Sequence, residues 1–265
     1  MLERFLEPEK LIFTEMAIAY EYAKLRMEKE ADQMIAQAFA LTENSSAADA
    51  QMLVKLLQVR CGIHVFAGRT AEARLDLAEA KRRAELSVAG SEGGSLRLHW
   101  EALIEFRDGN MERAAGLLRT CVDIQRAQLA TPLHALSALV STYLALGNVD
   151  AAVTTVEELF EAVQFEPDDI CGAILLFAPI AALRGAPEIA ARLSGFAKAD
   201  YARQGAALNF IGAPAHKLLA TSLSTQLPSD RIEMLEASGA LLSVDQALEE
   251  AREALASITA LNAPT

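Results

Sequence analysis

Four evenly placed glycines constrain this chain more than any other feature. Each is followed five residues later by an alanine: "AGRTAEA" at 67–73, "DGNMERA" at 108–114, "LGNVDAA" at 146–152 and "RGAPEIA" at 184–190. The glycines Gly68, Gly109, Gly147 and Gly185 are 41, 38 and 38 residues apart, a period that marks stacked repeats. Each ends one apolar-periodic segment and precedes another, where glycine closes a helix and lets the chain reverse. The repeat unit reads as a helical hairpin.

The second helix of each unit carries a small, large, small pattern on one face. The sets are Ala73, Leu77, Ala80; Ala114, Leu118, Cys121; Ala152, Val156, Leu159; and Ala190, Ser194, Ala197. Ala31, Ile35 and Ala38 form a degenerate first copy, with Arg26 standing where the others have glycine. Small residues let a partner helix approach, and the larger one fills the groove between them. This pattern predicts an all-α fold of five hairpins over residues 1–205. Beyond the turn-rich "NFIGAP" at 209–214 the period stops, and residues 206–265 read as C-terminal capping helices continuous with the stack. Helices are expected near 215–226, from Ser229 to about Ser238, and after "SVDQ", where Ser243 and Gln246 form a capping box. Gly239 suits the end of the helix before it.

The glycine, the alanine five residues on and the small-large-small face resemble the tetratricopeptide repeat, in longer units and without its early aromatic and closing proline. The resemblance implies a right-handed superhelix of stacked tetratricopeptide-like hairpins, an α-solenoid with a C-terminal helical cap. The C-terminal third is similar to the end of large bacterial transcriptional regulators. Those proteins join a DNA-binding or signalling domain, a signal-transduction ATPase and a helical repeat region. Gly185, Ala190, Ala191, Arg192 and Leu193 match one of their motifs; Gly239, Leu242, Ser243, Asp245 and Ala247 match another. The resemblance implies a sensor or regulatory module, with ATPase and DNA-binding domains attached in the full-length protein.

Composition narrows the partners. Aromatics are 6% of the chain, so burial falls to Ala, Leu, Ile and Val, which suits close helix packing. A net charge of −12 repels a phosphate backbone, and no direct nucleic-acid binding is expected. The longest apolar run, Ile170 to Leu183, is 14 residues, short of the roughly 20 that cross a bilayer. It reads as a buried helix, and no membrane association is expected. No basic-then-apolar leader opens the chain, so a cytoplasmic location is expected.

No pattern points to catalysis. Cys61, Cys121 and Cys171 are too few and too scattered for a disulfide framework, and Cys61 and Cys121 occupy slots that hold small hydrophobes in other units. Cys61 and His64 lack the second ligand pair that structural zinc requires, so no metal or cofactor is expected. His64, His99, His134 and His216 have no nucleophile or carboxylate at a repeating spacing. The glycine-rich "SVAGSEGGS" at 87–95 lacks the lysine of a phosphate loop and reads as a linker. The chain is read as non-enzymatic.

Binding is the remaining role. First helices line the concave side of such a stack, and residues ten, six and three before each glycine are taken to face it. These are Gln58, Gly62 and Val65; His99, Leu103 and Phe106; Ser137, Ser141 and Leu144; and Leu175, Pro179 and Ala182. An offset of thirteen adds Lys55 and His134, and Arg107 lies at the lip. The binding candidates are Lys55, Gln58, His99, Phe106, Arg107, His134, Ser137 and Ser141. The expected ligand is a peptide, a protein or a small effector. The two functions in view are a regulator's sensor region and a stand-alone protein-interaction scaffold.

Overall fold

The computed structural model describes residues 8–43, 50–86, 94–165, 169–204 and 209–262. Among these the chain is all-helical, with thirteen α-helices and no strand. Residues 1–121 and 122–265 form two compact units.

The spaced glycines have one structural cause. Gly68, Gly109, Gly147 and Gly185 have φ of 78°, 83°, 71° and 86°, and Arg26 has a φ of 61°. This is the left-handed region, which costs a side chain energy and glycine little. At Gly147 the amide donates to Leu144 O at 3.1 Å and the next amide, Asn148, to Tyr143 O at 2.9 Å. These two bonds satisfy carbonyls that the helix end would leave open. The same pair recurs at Arg26, Gly68, Gly109 and Gly185. The repeated alanine then gives an early backbone bond of the next helix, as in Ala152 N to Asn148 O at 3.1 Å. Ala31, Ala73, Ala114, Ala152 and Ala190 are all fully buried. A sixth such turn, at Leu129 with φ 57°, carries no glycine.

In the first unit the helices are α1 (Pro8–Lys24), α2 (Glu28–Glu43), α3 (Ala50–Phe66), α4 (Thr70–Leu86), α5 (Gly94–Arg107) and the start of α6 (Met111–Ala127). Gly94 and Ser95, expected in a linker, open α5, and residues 87–93 of that stretch lie outside the described residues. Helix α3 packs on its hairpin partner α4, on α1 and α2 before it, and on α5 after it. Ile12, Met16, Ala19, Ile35, Leu56 and Ile63 fill the space between them. Ion pairs tie successive hairpins at their edges. Arg69 grips both oxygens of Asp32 at 2.7 Å, and Arg74 reaches Glu105 at 3.1 Å and Asp108 at 2.7 Å.

The second unit contains α7 (Leu133–Ala145), α8 (Val149–Ala162), a 3-10 turn (Val163–Phe165), α9 (Ile170–Leu183), α10 (Pro187–Gln204), α11 (Ala213–Gln226), α12 (Ser229–Gly239) and α13 (Val244–Asn262). The apolar run at 170–183 is α9, and it packs on α7, α8, α10, α11 and α13. A helix surrounded in this way needs apolar residues all round. Ile174, Phe177, Ala178, Ile180 and Ala181 are fully buried, and Phe177 meets Phe160 edge to face at 5.5 Å.

The last three helices fold back on these hairpins. Helix α11 covers α7 and α9, α12 packs on α10, and α13 packs on α8, α9 and α10. The capping box forms as expected: Gln246 N donates to Ser243 Oγ at 3.2 Å, and Ser243 N to Gln246 Oε1 at 2.9 Å. Gly239 does more than end α12. A Cβ on it would collide with the Arg192 carbonyl, and one on Gly195 would collide with the Glu236 carbonyl. The two glycines bring the α10 and α12 backbones into contact.

Candidate functional site

In the first unit the solvent-facing row of the first helices is built from two offsets. Thirteen residues before the turn stand Phe13, Lys55 and Leu96, all exposed. Two residues before it stand Lys24, Phe66 and Arg107. At 100° per residue these offsets share a stripe, because eleven residues make about three turns.

Contacts knit the stripe across helices. The Lys55 ammonium sits 5.3 Å from the Phe13 ring centroid, and that of Lys24 5.7 Å from the Tyr20 centroid. Tyr20 meets Phe66 edge to face at 5.8 Å and Trp100 at 6.0 Å. Arg107 Nη2 donates to the Phe66 carbonyl at 2.6 Å. Burial, with Arg26 nearby, pulls the Arg107 pKa below its ordinary value, so its charge is one that an acceptor would stabilise. The face therefore offers aromatic surface flanked by three cations, each held close to an aromatic residue. Cations over ring faces gain about 0.5–1 kcal/mol when exposed, which helps to position Lys55 and Lys24; Lys24 is also ion-paired with Glu21 at 3.0 Å.

Trp100 anchors this face from beneath. Its ring lies on Gly62, where an added Cβ would come within 2.6 Å of the indole, and it meets His99 edge to face at 5.3 Å. The indole nitrogen is buried and has no hydrogen-bond partner among the described residues.

The residues expected to line the groove fall into two groups. Lys55 and Arg107 are on the stripe. Gln58, His99 and Phe106 are buried, because offsets of ten and three point roughly 80° away from it, toward neighbouring helices. In the second unit His134 is exposed and Ser137 is partly exposed, its hydroxyl donating to Leu133 O of its own helix at 3.0 Å. Ser141 is fully buried and donates to the Ile211 carbonyl, in the turn that leads into α11. Phe13, Lys24, Tyr20 and Leu96 were not among the candidates. Phe13 and Leu96 share the offset that selected Lys55 and His134, which is the signal that could have found them.

A second polar group lies between α3 and α4. Arg60 grips the buried Asp76 at 2.9 and 2.6 Å, and His64 Nε2 stands 3.5 Å from Asp76 Oδ2. Burial, with help from Arg69 and Arg60, lowers the His64 pKa against the opposing pull of Asp76 and Asp32. The adjacent Cys61 thiol is pushed up to about 12 by burial and then by Asp76, and burial pushes Cys121 up to about 11. Thiols held protonated in this way are poor nucleophiles. Among the described residues no three His, Cys, Asp or Glu side chains converge as metal ligands, and no helix is long and apolar enough to cross a membrane.

No family model, curated protein or solved structure matches this chain.

Proposed function

We propose that this chain is a non-enzymatic helical-repeat binding module, the sensor or regulatory region of a bacterial transcriptional regulator. In this reading the hairpins stack as a right-handed superhelix of tetratricopeptide-like units. A peptide or protein segment lies along the first-helix stripe. The observation that carries the reading is the row Phe13, Lys55, Tyr20, Lys24, Phe66 and Arg107, whose contacts join three first helices and which leaves Lys24 and Lys55 exposed. Such a row suits a segment whose apolar side chains cover the rings and whose carbonyl or carboxylate oxygens meet the cations. The stacking contacts of α3 with α1, α2, α4 and α5 support the superhelix. The motifs around Gly185 and Gly239 support the regulator.

The test is selection from a random peptide library on the whole chain, followed by affinity measurement on Phe13→Ala and Lys55→Glu. Both positions are exposed, so folding is retained and circular dichroism verifies it. Selected peptides should lose at least tenfold in affinity for each variant. Peptides that bind both variants as tightly as the parent would place recognition elsewhere.

A further inference from the structure

In the second unit α8 and α13 run side by side in opposite directions. Arg252 lies beside Phe160, at 3.3 Å from its carbonyl, and Thr259 lies beside Glu157, its hydroxyl donating at 2.6 Å. Between them is an open cleft of about 500 Å³, within the range of about 300–1,000 Å³ usual for binding pockets. Phe160 and Leu255 form its floor, and Ala256 and Ala260 leave it open because their side chains are too short to fill it.

The α8 side of the rim is acidic. Glu157 and Glu161 stand one helical turn apart on α8. Glu161 is exposed and makes no ion pair or hydrogen bond among the described residues, and the only such partner of Glu157 there is the Thr259 hydroxyl. Among the described residues Arg252 is the one cation in the lining, and its guanidinium is turned to the carbonyl end of α8, where a positive charge meets the helix dipole. Neighbouring Glu158 is already paired with Arg126. Most of the chain's excess negative charge also lies in residues 122–265.

We infer that this cleft docks a basic amphipathic helix from a partner protein. Phe160 and Leu255 take apolar side chains spaced three or four residues apart on that helix, and Glu157 and Glu161 pair with flanking lysines or arginines. Two antiparallel helices with small residues between them present a groove into which a third helix's ridge fits. The length matches: from Glu157 to Gln164 is about two turns, roughly 10 Å of helix. A second copy of this acidic chain is a poorer occupant, because like charges meet at the rim.

The experiment uses the whole chain and a fluorescent designed leucine–lysine amphipathic helix as probe. The probe should bind, and Glu157→Lys with Glu161→Lys, or Ala256→Gln alone, should weaken it at least tenfold. Asp230→Lys with Glu233→Lys, an equal charge change at two exposed positions of α12, should weaken it less than threefold. A scrambled lysine peptide of equal charge should bind at least tenfold more weakly. Three outcomes overturn the inference: the α12 pair matching the cleft pair, a leucine–glutamate helix binding as well as the lysine one, or sedimentation showing a dimer that the cleft variants dissolve.

Discussion

The indole of Trp100 rests on the bare α-carbon of Gly62, and a Cβ there would come within 2.6 Å of the ring. This contact sets the depth of the aromatic face, because Tyr20 and His99 both pack against the same indole. Gly62→Ala should displace the ring. Overpacking costs about 1–3 kcal/mol, and the helix propensity gained by alanine, about 1 kcal/mol, offsets part of it. Trp100 is the only tryptophan, so its fluorescence reports the shift directly while urea titration reports stability. Unchanged emission and midpoint would mean that the ring does not depend on Gly62.

The left-handed turns make an opposite pair of predictions. Arg26→Gly relieves a side chain from a φ of 61°, and Gly147→Ala places one at 71°. With about 1–2 kcal/mol separating left-handed side chains from glycine, the first should raise the urea midpoint and the second lower it. Both changes on one sign would contradict the shared turn geometry.

The α10–α12 crossing depends on glycine at two positions. Gly195→Ala and Gly239→Ala each drive a methyl group into the opposite backbone, at Glu236 and Arg192 respectively. Backbone cannot move aside as a side chain does, so a loss of about 3 kcal/mol is expected. Hydrogen exchange should show α12 opening before α7 and α8.

Ala152 is fully buried at the start of α8. Ala152→Leu should cost about 1–3 kcal/mol by overpacking, measured by thermal unfolding.

The His64 site sets a pH dependence. Its folded pKa lies below the ordinary value of 6.5, so the unfolded chain binds the proton more readily. Stability is then lost as pH falls below about 6.5, until the folded pKa is passed. Asp32, held down chiefly by its hydrogen bond to Arg69, gives a separate loss below about pH 4. In His64→Gln the upper loss should vanish and the lower one persist, as read from melting temperature against pH.

The turns between helices were legible because the left-handed conformation and the tight helix contact each demand a particular residue, at Gly147 and Ala152 for example. The capping box at Ser243 and the all-apolar α9 were legible for the same local reasons. The turn at Leu129 was not, since a leucine occupies it with 96% of its surface exposed. Nor was the face that first helices present to solvent. Which side of α3 is covered depends on how α1 and α5 are rotated against it, and helical periodicity leaves that rotation open. Gln58 and His99 were therefore grouped with Lys55 on one face, whereas they are buried and Lys55 is exposed. Ser141 was out of reach for another reason: its cover, the turn at Ile211, comes seventy residues later.

The binding role itself is tested most directly by hydrogen exchange of the whole chain with a library-selected peptide. Slowed exchange is expected along the first-helix segments 13–24, 55–66 and 96–107, with α2 and α4 unchanged. Protection confined to α2 and α4, or absent from the chain while the peptide is bound, would contradict it.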